Sequence, residues 1–293
     1  MENIDSVNRN YNTISPSAKS LLFLKGYTNI PFARQTAELI AYPDKFIPDF
    51  TNQNQTFWAR MVHFENRYWS IDQLLEELPV KNILELSSGF SFRGLEAIIQ
   101  NDLYYIDTDL PDVVTLKNDI RTILMKEISG TEGELEILPL NALDEKQFHE
   151  IVSKFPEGEI VIVNEGLLMY LDTEEKVKLC SNILGILKER GGYWITADAY
   201  IKNQKEKINL EIDNKTKEFF EQHHIEDNKF ESFEEAKAFF NRMGFIIDRE
   251  AVANHSKLSS IEYFLKTTTL SQFFRIRKAG KMQATWRLRV AND

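Results

Sequence analysis

The chain has 293 residues, 35 basic and 45 acidic, and a formal net charge of −10, a balance that argues against binding to a nucleic-acid backbone. Hydrophobic residues make up 43% and aromatics 12%, which is ample for a sizeable core and too much for a disordered chain. No run of 18 apolar residues occurs and the first twelve residues hold no apolar signal core, so the expectation is an unexported, cytoplasmic protein with no membrane partner.

In chain order, residues 1–80 read as a helical cap, with helical patterns at 17–25, 33–40 and 53–78 and no convincing strand. From residue 82 to the end, short aliphatic runs at 82–86, 103–107, 135–140, 160–164, 193–198, 245–252 and 284–290 alternate with helical patterns. That arrangement produces a mostly parallel sheet covered by helices. The intervening helices carry their own start signals. Asp144 stands three residues before Gln147, Asp172 three before Glu175, and Ser232 three before Glu235, while Gly191 and Gly244 mark stops. A polar helical stretch at 202–223 interrupts the alternation and, sitting above the carboxyl ends of the strands, reads as a lid spanning about 200–230. No repeat or linker divides the chain, so one domain over 1–293 is expected, the cap followed by a core over 81–293.

Four strand ends carry candidate chemistry. The first runs Glu85-Leu86-Ser87-Ser88-Gly89, a small-residue turn where backbone can approach a ligand. Its single glycine does not meet the G-x-G-x-x-G dinucleotide fingerprint. Asp109 ends the second strand, twenty residues after Gly89; a carboxylate there can accept both hydroxyls of a ribose, or else cap the helix begun by Pro111. At the third, Asn141 and the following Ala142 could read the edge of an adenine ring. At the fourth, Glu165 ends an apolar strand and needs a partner or a ligand.

These loops resemble the leucine carboxyl methyltransferase family, including its polyketide-type O-methyltransferase branch, within the class I S-adenosylmethionine-dependent methyltransferases. The phrase Glu165-Gly166-Leu167-Leu168-Met169-Tyr170-Leu171 is close to the family's most specific signature. Ser87-Ser88-Gly89-Phe90-Ser91-Phe92-Arg93 resembles its glycine turn, and Asp109-Leu110-Pro111 its Asp-Leu-Pro. Ile14-Ser15-Pro16-Ser17-Ala18 and Ile30-Pro31-Phe32-Ala33 extend the likeness to the N-terminal segment.

The resemblance implies a Rossmann-like three-layer α/β sandwich with a seven-stranded, mostly parallel sheet whose last strand runs antiparallel. It also implies S-adenosyl-L-methionine as cofactor and a small-molecule or carboxylate methyl acceptor. By it, Glu85, Ser87 and Gly89 belong to the cofactor turn, Asp109 holds the ribose, Asn141 and Ala142 face the adenine, and Glu165 sits near the sulfonium and the methionine amine. Lys19 falls where the family has a cofactor-facing lysine. Arg60 and Arg67 compete for the cofactor carboxylate; seven residues apart on one helix, both could face the pocket. Tyr170 would line the acceptor site. Ser87 replaces the family's first glycine, which the turn accommodates if φ is negative there, and Asn141 replaces an aspartate.

No catalytic base is assigned from sequence, with His63, His223 and His224 as the histidines near candidate segments. Cys180 is the single cysteine and the histidines lack a His-Glu-x-x-His spacing, so neither a disulfide framework nor a metal is expected. A cofactor-binding domain without turnover and a nicotinamide-dependent oxidoreductase are the competing readings.

Overall fold

The computed structural model describes residues 15–202 and 214–291. The start of the expected cap and residues 203–213 of the expected lid lie outside the described residues.

Three helices lead into the sheet: α1 (Ser15–Lys25), α2 (Ala33–Ala41) and α3 (Gln55–Glu76). Then β1 (Asn82–Leu86), β2 (Tyr104–Asp109), β3 (Glu134–Pro139), β4 (Ile160–Asn164) and β5 (Gly192–Tyr200) alternate with α4 (Arg93–Gln100), α5 (Pro111–Leu124), α6 (Glu145–Val152) and α7 (Thr173–Arg190). After β5 come α8 (Asn214–Gln222), α9 (Phe233–Arg242) and β6 (Phe245–Glu250), then α10 (Ile261–Thr267), α11 (Leu270–Ala279) and β7 (Gln283–Val290). The seven strands form one sheet in the order β3-β2-β1-β4-β5-β7-β6. The first five pair in parallel, and β7 lies antiparallel between β5 and β6.

The period-2 alternation of side chains explains the three layers. Leu84, Ile106, Ile162 and Trp194 point to one face, where they meet Phe148 of α6, Ile183 of α7 and Phe240 of α9. Ile83, Tyr105, Val161, Val163 and Ile195 point to the other, where Ile71 and Leu74 of α3, Leu95 of α4 and Ile120 of α5 pack on them. The caps read from sequence are formed. Asp144 accepts the Gln147 N–H, Asp172 and Glu175 close a reciprocal capping box, and Ser232 accepts the Glu235 N–H.

The long connection between β6 and β7 holds α10 and α11. Its anchor is Glu65 of α3, fully buried, whose carboxylate accepts the N–H and Oγ–H of Ser259 at 2.7 and 2.6 Å and those of Ser260 at 3.0 and 2.7 Å. An anion at the N-terminus of α10 satisfies amide groups that the helix itself leaves unpaired. This pins the C-terminal helices over the carboxyl ends of the strands.

Candidate functional site

Above those strand ends lies a cavity of about 1130 Å³, at or beyond the ~300–1,000 Å³ usual for small-molecule sites. Ser87, Gly89, Asp109, Asn141, Ala142 and Glu165 all line it, as do Arg60, Arg67 and Tyr170. The first four strands therefore deliver their ends to one space.

At the first end the backbone turns sharply, with φ of 51° at Ser87 and 56° at Gly89. The expectation of negative φ at Ser87 is thus corrected: a side chain sits in the left-handed region that favours glycine, at a cost of about 1–2 kcal/mol. At Gly89 the turn releases an N–H that donates to Asp109 Oδ2 at 2.7 Å, while Leu110 N–H donates to Oδ1 at 2.7 Å. Burial pushes the Asp109 carboxyl up, and the two N–H groups work against that shift. Each oxygen keeps lone-pair capacity for a further donor. Beneath the turn, Lys117 of α5, fully buried, donates to Ser88 Oγ at 2.7 Å and to Asp107 at 2.6 Å, and so ties the β1 turn to β2.

At the fourth end Glu165 is clamped by three cations. Lys25 Nζ donates at 2.6 Å, Arg67 Nε at 3.0 Å and an Arg93 terminal nitrogen at 2.9 Å. Burial opposes ionisation of Glu165, but Lys25, Arg67 and Arg93 outweigh it and hold the carboxyl well below the usual range. Arg67 also donates to Tyr200 Oη at 2.9 Å, and Tyr200 Oη lies 2.8 Å from His63 Nε2. Burial pushes the Tyr200 phenol up to about 12. Next to the clamp, Asp198 at the tip of β5 receives the N–H groups of Gly166, Leu167 and Leu168 at 2.6, 2.7 and 3.0 Å. Gly166 has φ of 83°, in the left-handed region that side chains rarely adopt. That conformation explains why glycine follows Glu165.

Two expected residues sit elsewhere. Lys19 is exposed and faces away from the cavity. The inward stripe of α1 runs Ala18, Leu21, Leu22, Lys25 at helical spacing, and position 19 falls off it, so Lys25 supplies the ammonium. Glu85 is buried below the cavity, where it accepts the Tyr105 hydroxyl at 2.7 Å and pairs with Arg93 at 3.4 Å. A centre-strand carboxylate with those partners is spoken for by the fold. Asn141 lines the cavity, but its side-chain oxygen accepts the Leu143 N–H at 3.1 Å and so shapes its own turn. Tyr170 donates to Ser17 Oγ at 3.2 Å from the cavity wall. Arg60 and Arg67 share one face of the unbroken α3, and it is Arg67 that reaches Glu165.

Sequence reasoning passed over Lys25, Arg93 and Asp198. Asp198 carried the same signal as Glu165, a carboxylate closing an apolar central strand. Arg93 stood in the quoted glycine-turn motif. It stacks on the Tyr68 ring at 3.9 Å and joins Asp72, Glu85 and Glu165 into one buried network.

The opposite wall is apolar. Met169, Phe219 and Phe220 line it, as do Leu258, Ile261 and Phe264, and Phe273 and Ile276 of α11.

Comparison with solved structures bears on the fold. A DUF574 family protein from Streptomyces avermitilis superposes with a TM-score of 0.51 over 94% of this chain and 97% of that one, at 11% identity. The magnesium protoporphyrin IX methyltransferase of Synechocystis, solved with bound SAH, gives a TM-score of 0.51 over 97% of this chain and 100% of that one, at 10% identity. The fold is that of a class I methyltransferase. Against a pericyclic reaction enzyme the match covers 72% of this chain at 9% identity with a TM-score of 0.43, and the chain spans 44% of that protein's length. No protein-family model matches the chain, and no curated protein matches it in sequence.

Proposed function

We propose that the protein is a cytoplasmic S-adenosyl-L-methionine-dependent O-methyltransferase of the leucine carboxyl and polyketide type, acting on a small molecule or a carboxylate. The observation that carries this reading is the convergence of Gly89, Asp109, Asn141 and Glu165 on one cavity. The bound cofactor supplies an already activated methyl group on a sulfonium.

The chain's residues suit the remaining tasks. Asp109, fixed by two backbone N–H groups, offers its free lone pairs to a ribose diol. Lys25 and Arg67 offer charge to a carboxylate, and Glu165 offers charge to an amine. Asn141 and Ala142 line the cavity and would offer an edge to an adenine ring. The apolar wall from Phe219 to Ile276 excludes water and holds the acceptor in line, which is the main work left to a protein in this chemistry. A carboxylate acceptor needs no general base. For a hydroxyl acceptor, His63, 2.8 Å from the Tyr200 hydroxyl, is the group placed to take up a proton.

Calorimetric titration tests the reading. The protein should bind S-adenosylmethionine and S-adenosylhomocysteine saturably and ignore NADH. Asp109→Ala, checked for folding by circular dichroism, should weaken nucleoside binding about ten- to hundredfold, the worth of hydrogen bonds to a charged acceptor. Binding of NADH in place of the sulfonium nucleoside, or an Asp109→Ala variant that binds as tightly as the parent, would overturn it.

A further inference from the structure

The β6–β7 connection carries a surface that the cavity does not account for. Helix α11 has no buried residue, and Leu270 is 78% and Phe274 62% exposed. Local signals mark both ends of the helix. Thr269 and Gln272 close a capping box at its start, and Arg277 and Lys278 complement the dipole at its end. Leu270, Phe274 and Lys278 are spaced by four residues, so they make one outward ridge with Arg277 beside it. The adjoining face of the same helix, through Phe273 and Ile276, lines the cavity.

The charge of this segment is opposite to that of the chain. Residues 263–292 hold Lys266, Arg275, Arg277, Lys278, Lys281, Arg287 and Arg289 and no aspartate or glutamate, in a protein of net charge −10. Among the described residues, Lys266, Lys281, Arg287 and Arg289 have carboxylate partners, whereas Arg275, Arg277 and Lys278 are exposed and have none. Apolar side chains on a short helix flanked by unpaired cations are the pattern of a helix that lies in a lipid–water interface. A second copy of the chain fits less well. Two outward apolar side chains fall far short of the ~800 Å² per partner that a stable dimer buries.

We propose that α11 docks the protein on an anionic phospholipid surface. Leu270 and Phe274 enter the boundary between headgroups and acyl chains, and Arg275, Arg277 and Lys278 meet the lipid phosphates. No helix among the described residues is long and apolar enough to cross a membrane, so the contact is peripheral. It departs from the expectation of no membrane partner, which rested only on the lack of a spanning run. Docked this way, the helix that lines the cavity through Phe273 and Ile276 lies at the lipid surface, where an apolar acceptor would be found. The docking itself does not rest on the methyltransferase reading.

Co-sedimentation of the full chain with vesicles tests the proposal. Phosphatidylcholine vesicles containing phosphatidylserine should bind it, and pure phosphatidylcholine vesicles should bind it at least about tenfold more weakly. Arg277→Glu with Lys278→Glu, and separately Leu270→Ser with Phe274→Ser, should each lose about tenfold or more of that binding, whereas Lys237→Glu on α9 should not. Calorimetric nucleoside binding, measured on every variant, should stay unchanged, which keeps a failed docking distinguishable from a failed cofactor reading. The proposal is overturned if the parent ignores the anionic vesicles, or if either double variant binds them as well as the parent. It is equally overturned if sedimentation shows a dimer that Leu270→Ser with Phe274→Ser converts to monomer.

Discussion

The cavity has a floor and a roof built on different principles. On the floor, at the ends of β1, β2, β4 and β5, every charged group is held by a named partner: Asp109 by two N–H groups, Asp198 by three, Glu165 by three cations. On the roof, α10 and α11 present apolar side chains, and of α10 and α11 only Phe264 is buried. The floor is over-determined and suits a ligand of fixed shape and charge, whose recognition depends on donors already in place. The roof is pinned at Glu65 but meets the cavity with apolar side chains, and suits a ligand recognised by bulk. On the proposed reading that division has a use, since a cofactor is constant while acceptors vary.

The largest effect that tests this contrast comes from Arg93. Its guanidinium serves Asp72, Glu85 and Glu165 together, with its side chain 2% exposed. Arg93→Met keeps much of the volume but strands these carboxylates in a low-dielectric interior, at a cost of about 3–5 kcal/mol. On the roof, Phe273→Ala should cost less than about 0.5 kcal/mol. Urea unfolding of the two variants measures both. A loss under about 1 kcal/mol for Arg93→Met, or equal losses for the pair, would remove the distinction between floor and roof.

How much of this was legible in the sequence follows the same division. The strands and the Asp144, Asp172 and Ser232 caps were readable because they are set by local pattern: apolar runs, a capping residue and its partner three positions on. Asp109 and Glu165 were readable as carboxylates at strand ends, and motif and helix spacing left Arg60 and Arg67 side by side as candidates. The clamp around Glu165 was not, since it requires α1, α3 and α4 to approach one strand end from different directions, and no local pattern encodes that meeting. Lys19 was preferred to Lys25 for the same reason: the motif gave a neighbourhood, and only the packed orientation of α1 decides which lysine turns inward. Helix α11 escaped notice because a helix with no buried residue shows little of the amphipathic pattern by which helices are recognised. It stood in the sequence only as a long gap before the last strand.

The second test uses pH on the floor alone. In the fold Glu165 stays ionised where the unfolded chain, with an ordinary glutamate near about 4.3, takes up a proton. The unfolded state therefore binds more protons in that range, so this group's stabilisation is complete above about pH 4.5 and is lost as the pH falls below it. Glu165→Gln should cost about 1.5–3 kcal/mol at neutral pH, the worth of hydrogen bonds to a charged group. It should also flatten the rise of stability with pH on the acid side. Urea midpoints taken across that range compare the two proteins. If the variant and parent curves run parallel, the three cations do not hold the Glu165 charge as the geometry indicates.

The smallest effect is the most local. Ser87 holds φ of 51° two residues before Gly89, which holds 56°. The serine pays for a conformation that the glycine adopts freely. Ser87→Gly removes that strain from the folded state but widens the freedom of the unfolded chain, by about 0.4–1 kcal/mol. The strain of about 1–2 kcal/mol is the larger of the two, so the variant should gain up to about 1 kcal/mol, read as a rise in urea midpoint with unchanged slope. A gain there with unaltered nucleoside affinity would mean that the clamp of Lys117, Ser88 and Asp107 fixes the turn by itself. A gain accompanied by weaker nucleoside binding would mean that the side chain at position 87 helps hold the Gly89 N–H on Asp109, and that the rigidity of the floor reaches its outermost residue. A loss of stability would show that the turn carries no such strain, and the floor would then be less tightly determined at its edge than at Glu165.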